Sequence, residues 1–242
     1  MEGVAAPAPE KSGLFAVRPR PMAQPVPGVI HLEYIPPRVA AAKRTLDIIV
    51  ATLGLLVTAP LWPLIAIAIK VDSPGEIFYH QIRVGRMLGD HTELFQIIKF
   101  RSMRHDAERG TGAVWAQRSD PRVTRVGRFL RKTRLDELPQ MLNVLYGDMS
   151  VVGPRPERPA LYGKLEQEVP FFVDRTAGLR PGVTGMTQVR QGYDNSIEDV
   201  RRKVAYDAAY AMQLSTLRGW FMADLSIMFA TIRTMITGRG AQ

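Results

Sequence analysis

The sequence predicts a mixed, helix-rich α/β protein that is membrane-associated: an N-terminal re-entrant membrane helix and a small globular α/β domain with interfacial helices. Residues 48–69 form a run of 22 residues without a charged side chain, the length at which a segment can enter a membrane. Short β-branched and aromatic runs follow, and after them apolar residues recur at helical spacing. The 242 residues are 46% hydrophobic and 23% charged, which is the composition of a folded protein.

Residues 1–42 are predicted to form a disordered, proline-rich tail. Residues 1–40 hold eight of the 18 prolines, and the small and polar residues between them bury too little apolar surface to offset the entropy of ordering. No apolar run follows the first methionine, so we expect no secretory signal.

Residues 43–72 are predicted to form the membrane re-entrant helix. A straight helix over the apolar run would be about 33 Å long, close to the hydrocarbon thickness of a bilayer of roughly 30 Å. Pro60 and Pro63 favour a kink just past the middle. Basic residues flank both ends, with Lys43 before and Lys70 after, and positive charge marks the cytoplasmic side. The segment is therefore predicted to bend near Pro60 and return to the same face, with a single span and a buried core helix as the alternatives.

Residues 73–242 are predicted to form a cytoplasmic domain. The runs at 77–83 and 93–101, separated by a turn-rich stretch, predict a β-hairpin. Arg122, Arg125, Arg128 and Arg131 recur every three residues and predict a helix with a basic face, either solvated or turned towards phosphates or lipid headgroups. Residues 183–189 are strand-like, and residues 221–236 predict an apolar helix of the core or of the membrane interface.

Composition excludes several kinds of chemistry. The chain has no cysteine, which excludes disulfides, thiolate metal sites and a cysteine nucleophile. The motifs of P-loop enzymes, α/β-hydrolases and dinucleotide-binding folds are missing from the sequence. The formal net charge of +9 favours a polyanionic partner, which is anionic lipid, a phosphorylated substrate or nucleic acid. Nucleic acid is disfavoured because no helix-turn-helix or RNA-stacking motif is present and the apolar run would be unexplained.

The adjacent carboxylates Asp136 and Glu137 are the strongest candidates for catalysis. Pro139 is tolerated only in the first turn of a helix, so a helix is predicted to begin near Asp136. Acidic residues there are explained equally by capping and by the helix dipole. The chemical interpretation is that the helix start and the neighbouring Arg131 and Arg134 hold a phosphate, which a carboxylate attacks to form an acyl phosphate. Oxygen ligands without cysteine predict Mg²⁺ as the metal at Asp136 and Glu137.

Two further segments present arginines to a phosphate. In residues 147–159, Pro154, Pro156 and Pro159 stiffen a loop that carries Arg155 and Arg158. An arginine in a stiff loop loses little entropy when it binds a phosphate through two hydrogen bonds. Arg180 precedes Pro181-Gly182, a dipeptide that fits the centre of a type II turn.

In combination these segments closely resemble the bacterial sugar transferase family, the monotopic phosphoglycosyl transferases. The resemblance runs from about residue 43 to 240. The blocks that carry it are KRTLDIIVATLGLLVTAPLWPLIAIAIK, DSPGEIFYHQIRVG, KFRSM, RVGRFLRKTRLDELPQMLNVLYGDMSVVGPRPERP, RPGVTG and YDAAY.

The resemblance implies an undecaprenyl-phosphate sugar-1-phosphate transferase. Such an enzyme transfers a sugar 1-phosphate from a UDP-sugar to a polyprenyl phosphate, with Mg²⁺ and a covalent aspartyl phosphosugar, and releases UMP. It acts at the cytoplasmic face of the bacterial inner membrane and initiates the synthesis of exopolysaccharide, capsule or O-antigen-type glycans. The resemblance implies Asp136 as the nucleophile, Glu137 as its assistant at the metal and phosphate, and Arg155 as a phosphate ligand. Lys99 and Arg101, in the KFRSM strand, are further candidates for phosphate binding, with Arg158 and Arg180.

The expected partners are the UDP-sugar, the polyprenyl phosphate and membrane lipid, with no nucleic acid. A homo-oligomer and downstream glycosyltransferases are further candidate partners. The alternative function is a non-enzymatic, membrane-anchored scaffold in polysaccharide assembly, in which Asp136 and Glu137 only cap a helix.

Overall fold

A pair of helices joined at a sharp bend forms the N-terminal part of the computed structural model, which describes residues 35–107, 120–191 and 196–237. Helix α1 (Pro37–Thr58) is followed by α2 (Leu61–Asp72), and the two axes bend by 65° at the break. The bend falls at Pro60, as the sequence predicts, because proline cannot donate the hydrogen bond that would continue α1. No single described helix is long and apolar enough to cross a membrane, whereas the bent pair taken together is.

Helix α1 begins ahead of the predicted boundary at Lys43. Pro37 occupies its first turn, where the missing N–H costs nothing, and the alanine-rich residues that follow are strong helix formers. The part of the predicted tail at residues 1–34 lies outside the described residues.

The predicted β-hairpin is present. Strand β1 (Phe78–Met87) pairs with β2 (Thr92–Phe100) in an antiparallel ladder that sets Tyr79 opposite Lys99. A second, two-stranded parallel sheet joins β3 (Ser150–Val152) to β4 (Gly182–Thr184). The remaining helices are α3 (Arg125–Thr133), α4 (Gln140–Tyr146), α5 (Pro159–Glu168), α6 (Met186–Arg190), α7 (Ile197–Gln213) and α8 (Leu217–Thr237), with 3₁₀ turns at Leu135–Glu137 and Asp174–Thr176.

Three local predictions differ from the structure. The basic helix α3 begins at Arg125, and Arg122 lies before it, with its guanidinium paired to Asp120 at 2.6 Å. The strand predicted over residues 183–189 ends at Thr184 and gives way to α6, because β4 has only the short β3 to pair with. Gly182 lacks the positive φ that the second central residue of a type II turn requires, and it begins β4 instead.

Two apolar clusters matter for the position of the site. The largest packs α1, α4, β2, β3 and α8 together around fully buried side chains, among them Ala51, Val144 and Met149. A second cluster joins the bent pair to the hairpin and to α3 through Ile69, Phe100 and Leu130. Helix α2 is thereby held directly against the elements that precede the carboxylate pair.

A buried polar network fixes the start of α1 to the rest of the domain. Lys43 Nζ donates to Asp224 Oδ2 on α8 at 2.7 Å, and Tyr210 and Trp220 also donate to the carboxylate of Asp224. One turn further along α1, Asp47 accepts hydrogen bonds from the hydroxyl of Ser150 and from a backbone N–H of β3. These groups satisfy one another, as buried charges and polar groups must.

Glycines allow β4 to approach the loop that follows β3. A β-carbon on Gly182 would lie 2.1 Å from the backbone nitrogen of Gly153, whereas nothing lies within 4 Å of a β-carbon on Gly163 in the middle of α5.

We predict that Gly182→Ala lowers the free energy of unfolding by at least about 2 kcal/mol, because backbone atoms cannot move aside as a side chain can. The matched control Gly163→Ala should raise it by about 0.5–1 kcal/mol, since alanine is favoured over glycine inside a helix. Thermal unfolding of the two variants in the same membrane mimetic checks this, and equal melting temperatures would contradict the close approach of the two backbones.

Candidate active site

The carboxylate pair lies on a tight turn between two helices. Helix α3 ends at Thr133, and the next residue, Arg134, has a left-handed φ of 58° that changes the chain direction. The 3₁₀ turn that follows carries Asp136 and Glu137, and Pro139 precedes α4. The helix predicted to begin near Asp136 therefore begins after Pro139. Leu135 and Leu138, on either side of the pair, pack into the cluster around α2 and hold the turn in place.

Glu137 is held in place by ion pairs with three cationic side chains. Lys99 Nζ donates to Glu137 Oε1 at 2.8 Å, Arg155 lies 3.5 Å from the same oxygen, and Arg134 donates to Oε2 at 3.5 Å. Burial alone would raise the pKa of Glu137, but the charges of Lys99, Arg155 and Arg134 outweigh burial and hold this pKa far below its usual range. Glu137 is therefore a permanent anion.

Asp136 lies in a different environment although it is the adjacent residue. Its carboxylate is 8% exposed and accepts no hydrogen bond from the described part of the chain. Burial raises the pKa of Asp136, and the negative charge of Glu137 raises it further, against the smaller opposing effects of Lys99, Arg131 and Arg155. Asp136 is thus a carboxylate without a protein partner, surrounded by cations, and available to an incoming electrophile.

Both carboxylates line a cavity of about 480 Å³. Ten lysine and arginine residues line it, against three acidic residues, so the cavity attracts anions. Of the sequence-predicted site residues, the cavity brings together Lys99, Arg101, Asp136, Glu137, Arg155 and Arg158.

Two of the predicted phosphate-binding arginines are engaged with the backbone. The guanidinium of Arg101 donates to the carbonyl oxygens of Ser73 and Pro74 at 2.7 and 2.5 Å, so it closes the end of α2 although it borders the cavity. Arg180 lies apart from the cavity lining, and its Nε donates to the carbonyl oxygen of Gly147 at 2.8 Å.

A buried ionic network supports the loop that carries Arg155. Glu157 pairs with Lys203 at 2.6 Å, and Arg175 bridges Glu157 to Asp207. Arg175 also donates to the carbonyl oxygen of Arg155 at 3.1 Å, so its guanidinium orients this loop. Burial alone would raise the pKa of Glu157, but Lys203 and Arg175 lower it to about 2. No local sequence pattern predicts this network, because its members lie on three separate segments: the loop after β3, the 3₁₀ turn at Asp174–Thr176 and α7.

One face of β1 contributes to the cavity although none of its residues is among the predicted site residues. Tyr79, Gln81 and Arg83 alternate along the strand and all line the cavity. Their period of two is the available signal, because residues i, i+2 and i+4 of a strand share a face.

The residues present fit a magnesium ion held mainly by substrate. No group of three or more histidine or acidic side chains that could enclose a metal occurs in the described ranges. Mg²⁺ binds through one or two carboxylates together with phosphate oxygens and water, so such a group is not required. Asp136 has both oxygens available and Glu137 keeps Oε2, whose contact with Arg134 is long, whereas its Oε1 is taken by Lys99.

Comparison with known proteins identifies the class. The model of the family described as bacterial sugar transferase matches residues 38–238, and the chain belongs to this family of transferases. A relative from Aeromonas hydrophila, named UDP-N-acetylgalactosamine-undecaprenyl-phosphate N-acetylgalactosaminephosphotransferase, is 43% identical over 206 residues, which cover 85% of this chain and 46% of the relative.

Two relatives are named UDP-glucose:undecaprenyl-phosphate glucose-1-phosphate transferase. The one from Caulobacter vibrioides is 44% identical over 83% of this chain and 73% of its own length. The one from Escherichia coli is 40% identical over 78% of this chain and 39% of its own length. The chain therefore spans less than half the length of the Aeromonas and Escherichia relatives.

We predict that Lys99→Met raises the pKa of Asp136, because it removes a positive charge that stabilises the ionised carboxylate. A pH titration of ¹³C-labelled aspartate, in which the Asp136 signal is the one that Asp136→Asn removes, measures the midpoint. The control Lys132→Met removes an exposed charge of α3 outside the cavity and should leave the midpoint in place. A midpoint that stays constant in Lys99→Met would contradict this electrostatic assignment.

Proposed function

We propose that this protein transfers a sugar 1-phosphate from a UDP-sugar to undecaprenyl phosphate, releases UMP, and so initiates the synthesis of a cell-surface polysaccharide. One observation carries the proposal. In a strongly cationic cavity, Glu137 is held by ion pairs, whereas the adjacent Asp136 accepts no hydrogen bond from the described residues. The relatives' names support the same donor and acceptor classes, and they include both glucose and N-acetylgalactosamine.

The reaction proceeds by double displacement at one phosphorus atom. A carboxylate oxygen of Asp136 bonds to the β-phosphorus of the donor, the bond from that phosphorus to the bridging oxygen breaks, and its electron pair leaves with UMP. An oxygen of undecaprenyl phosphate then attacks the same phosphorus, and Asp136 leaves as a carboxylate. Lys99, Arg131 and Arg155 stabilise the negative charge that develops on the phosphoryl oxygens.

Glu137 acts by position and charge. Because its carboxylate holds Lys99 and Arg155 at the cavity wall, both cations face the phosphate before it arrives. Asp136 and Glu137 would hold Mg²⁺ together with the donor, and the ion would supply further neutralisation of the diphosphate.

The bent pair α1–α2 is proposed to be re-entrant, with both ends on the cytoplasmic side of the inner membrane. The same globular body holds each end: Lys43 pairs with Asp224 at the start, and Asp72 accepts a hydrogen bond from the backbone of α3 at the end. Around the bend, Leu56, Val57, Leu64 and Ile67 are each more than 60% exposed, a surface that lipid would cover.

Two helices with exposed apolar side chains are proposed to lie in the interface. Helix α8 buries Trp220 and Asp224 but exposes Phe221 and Phe229. Helix α3 exposes Phe129 among basic residues, a combination that suits anionic headgroups.

We predict that Asp136→Asn lowers UMP release from a UDP-sugar with undecaprenyl phosphate by at least about a thousandfold, because the nucleophile is lost. Intact-mass spectrometry of the wild type with donor alone should show a phosphosugar adduct that the variant lacks. The control Asp90→Asn, at the exposed hairpin turn, should retain both. A wild type that releases no UMP from any UDP-sugar would favour the scaffold alternative, and an adduct on Asp136→Asn would remove Asp136 from the chemistry.

Single cysteines test the membrane arrangement, since the chain has none. Arg38→Cys and Glu76→Cys introduce thiols at exposed positions before α1 has entered the bilayer and after α2 has left it. We expect a membrane-impermeant maleimide to label both only after the inner membrane is permeabilised. Labelling of one position in intact spheroplasts would show a span instead of a re-entrant pair.

A further inference from the structure

A cluster of three guanidinium groups lines the cavity, and one of them also contacts the carboxylate pair. It consists of Arg83 on β1 with Arg155 and Arg158 on the loop after β3. Arg83 Nη1 donates to the carbonyl oxygen of Pro156 at 3.2 Å, which fixes the side chain against this loop. The Nε of Arg83 is buried and meets no acceptor among the described residues, so a donor is left for a ligand.

Arg83 lies within electrostatic range of two other arginines. Burial lowers the pKa of Arg83 to about 10, and the positive charges of Arg155 and Arg158 contribute, opposed by Glu157. Glu157 is already engaged by Lys203 at 2.6 Å and by Arg175, so it does not serve as the counterion of the arginine cluster alone. Cations that lie close together in a cavity favour an anion between them.

Arg155 links this cluster to the reacting centre. Its guanidinium lies 3.5 Å from Glu137, while its charge also acts on Arg83. Arg83 itself interacts with Arg155, Glu157, Arg158 and Tyr79. Arg155 therefore acts on both the carboxylate pair and Arg83, so one anion beside Asp136 and a second beside Arg83 would share it. Two phosphates joined by a single oxygen have this arrangement.

We infer that Arg83, together with Arg158, binds the phosphate that departs with the nucleoside, so that the cavity recognises a diphosphate through two separate phosphate positions. The inference rests on the proposed function and deepens it, because it assigns β1 a role in holding the leaving group. Arg83 stabilises the charge that gathers on that phosphate when the phosphorus–oxygen bond breaks.

Binding of UMP and of uridine, measured by isothermal titration, tests the inference. The loss of one charge-assisted contact in Arg83→Gln should weaken UMP binding about tenfold or more and leave uridine binding unchanged, because uridine lacks the phosphate. Arg83→Lys keeps the charge without the planar donors and should be intermediate. The matched control Arg86→Gln removes an arginine from the same strand outside the cavity lining and should bind UMP as the wild type does.

The half-reactions distinguish a phosphate ligand from a merely structural residue. Arg83→Gln should slow adduct formation from the UDP-sugar, in which UMP leaves, and should not slow discharge of the adduct by undecaprenyl phosphate. Equal loss in both half-reactions, or equal loss of UMP and uridine binding, would show a displaced loop and overturn the inference. If Arg83→Gln does not fold, Arg158→Gln provides the same comparison on a separate segment.

Failure of the inference and failure of the proposed function give different results. A wild type that transfers the sugar phosphate while Arg83→Gln binds UMP within twofold of it overturns the inference and leaves the proposed function in place. A wild type that binds UMP through Arg83 but releases none from any UDP-sugar overturns the proposed function instead.

Discussion

The ion cluster around Glu137 is the constraint on which the site depends. Its three cations come from separate elements: Lys99 from β2, Arg134 from the end of α3, and Arg155 from the loop after β3. Removing one charged member of such a cluster leaves the remaining charges unbalanced and costs stability. The cluster therefore fixes the relative positions of the three elements. Because the single negative charge of Glu137 fixes the positions of three cations, the cavity keeps a net positive charge while its geometry is fixed.

The two adjacent carboxylates differ in their electrostatic environment, and this difference suits them to different roles. Glu137 is paired and stays ionised, whereas Asp136 is buried beside that charge and has no described protein partner. Two of the cations that Glu137 holds in place, Lys99 and Arg155, lower the pKa of Asp136 and so oppose the effect of burial. Adjacency in the chain places Glu137, which holds the cations, next to the proposed nucleophile Asp136 at no cost in loop closure, because the two share one 3₁₀ turn.

The sequence predicts those features that depend on local pattern. The bend follows from Pro60, the hairpin from two β-rich runs, and the carboxylate pair from its place before a helix. Contacts between distant segments leave no such pattern. Lys43 and Asp224 are 181 positions apart, and nothing near either residue indicates the other. By residue type, Arg101 could bind a phosphate. It follows β2 beside the end of α2, however, and its guanidinium donates to two carbonyl oxygens there.

The packing that holds α2 against the globular domain also fixes the position of the carboxylate pair relative to α2. Ile65 and Ile69 of α2 pack against Phe100 and Leu130, and Leu130 belongs to the helix that ends just before Asp136. A shift of α2 along the bilayer normal would therefore carry the carboxylate with it, because a close-packed apolar cluster moves as a unit. The proposed acceptor carries its phosphate at the headgroup level, so the proposed nucleophile has to lie at that level. The short path from α2 through Leu130 to Asp136 meets this requirement without a flexible linker.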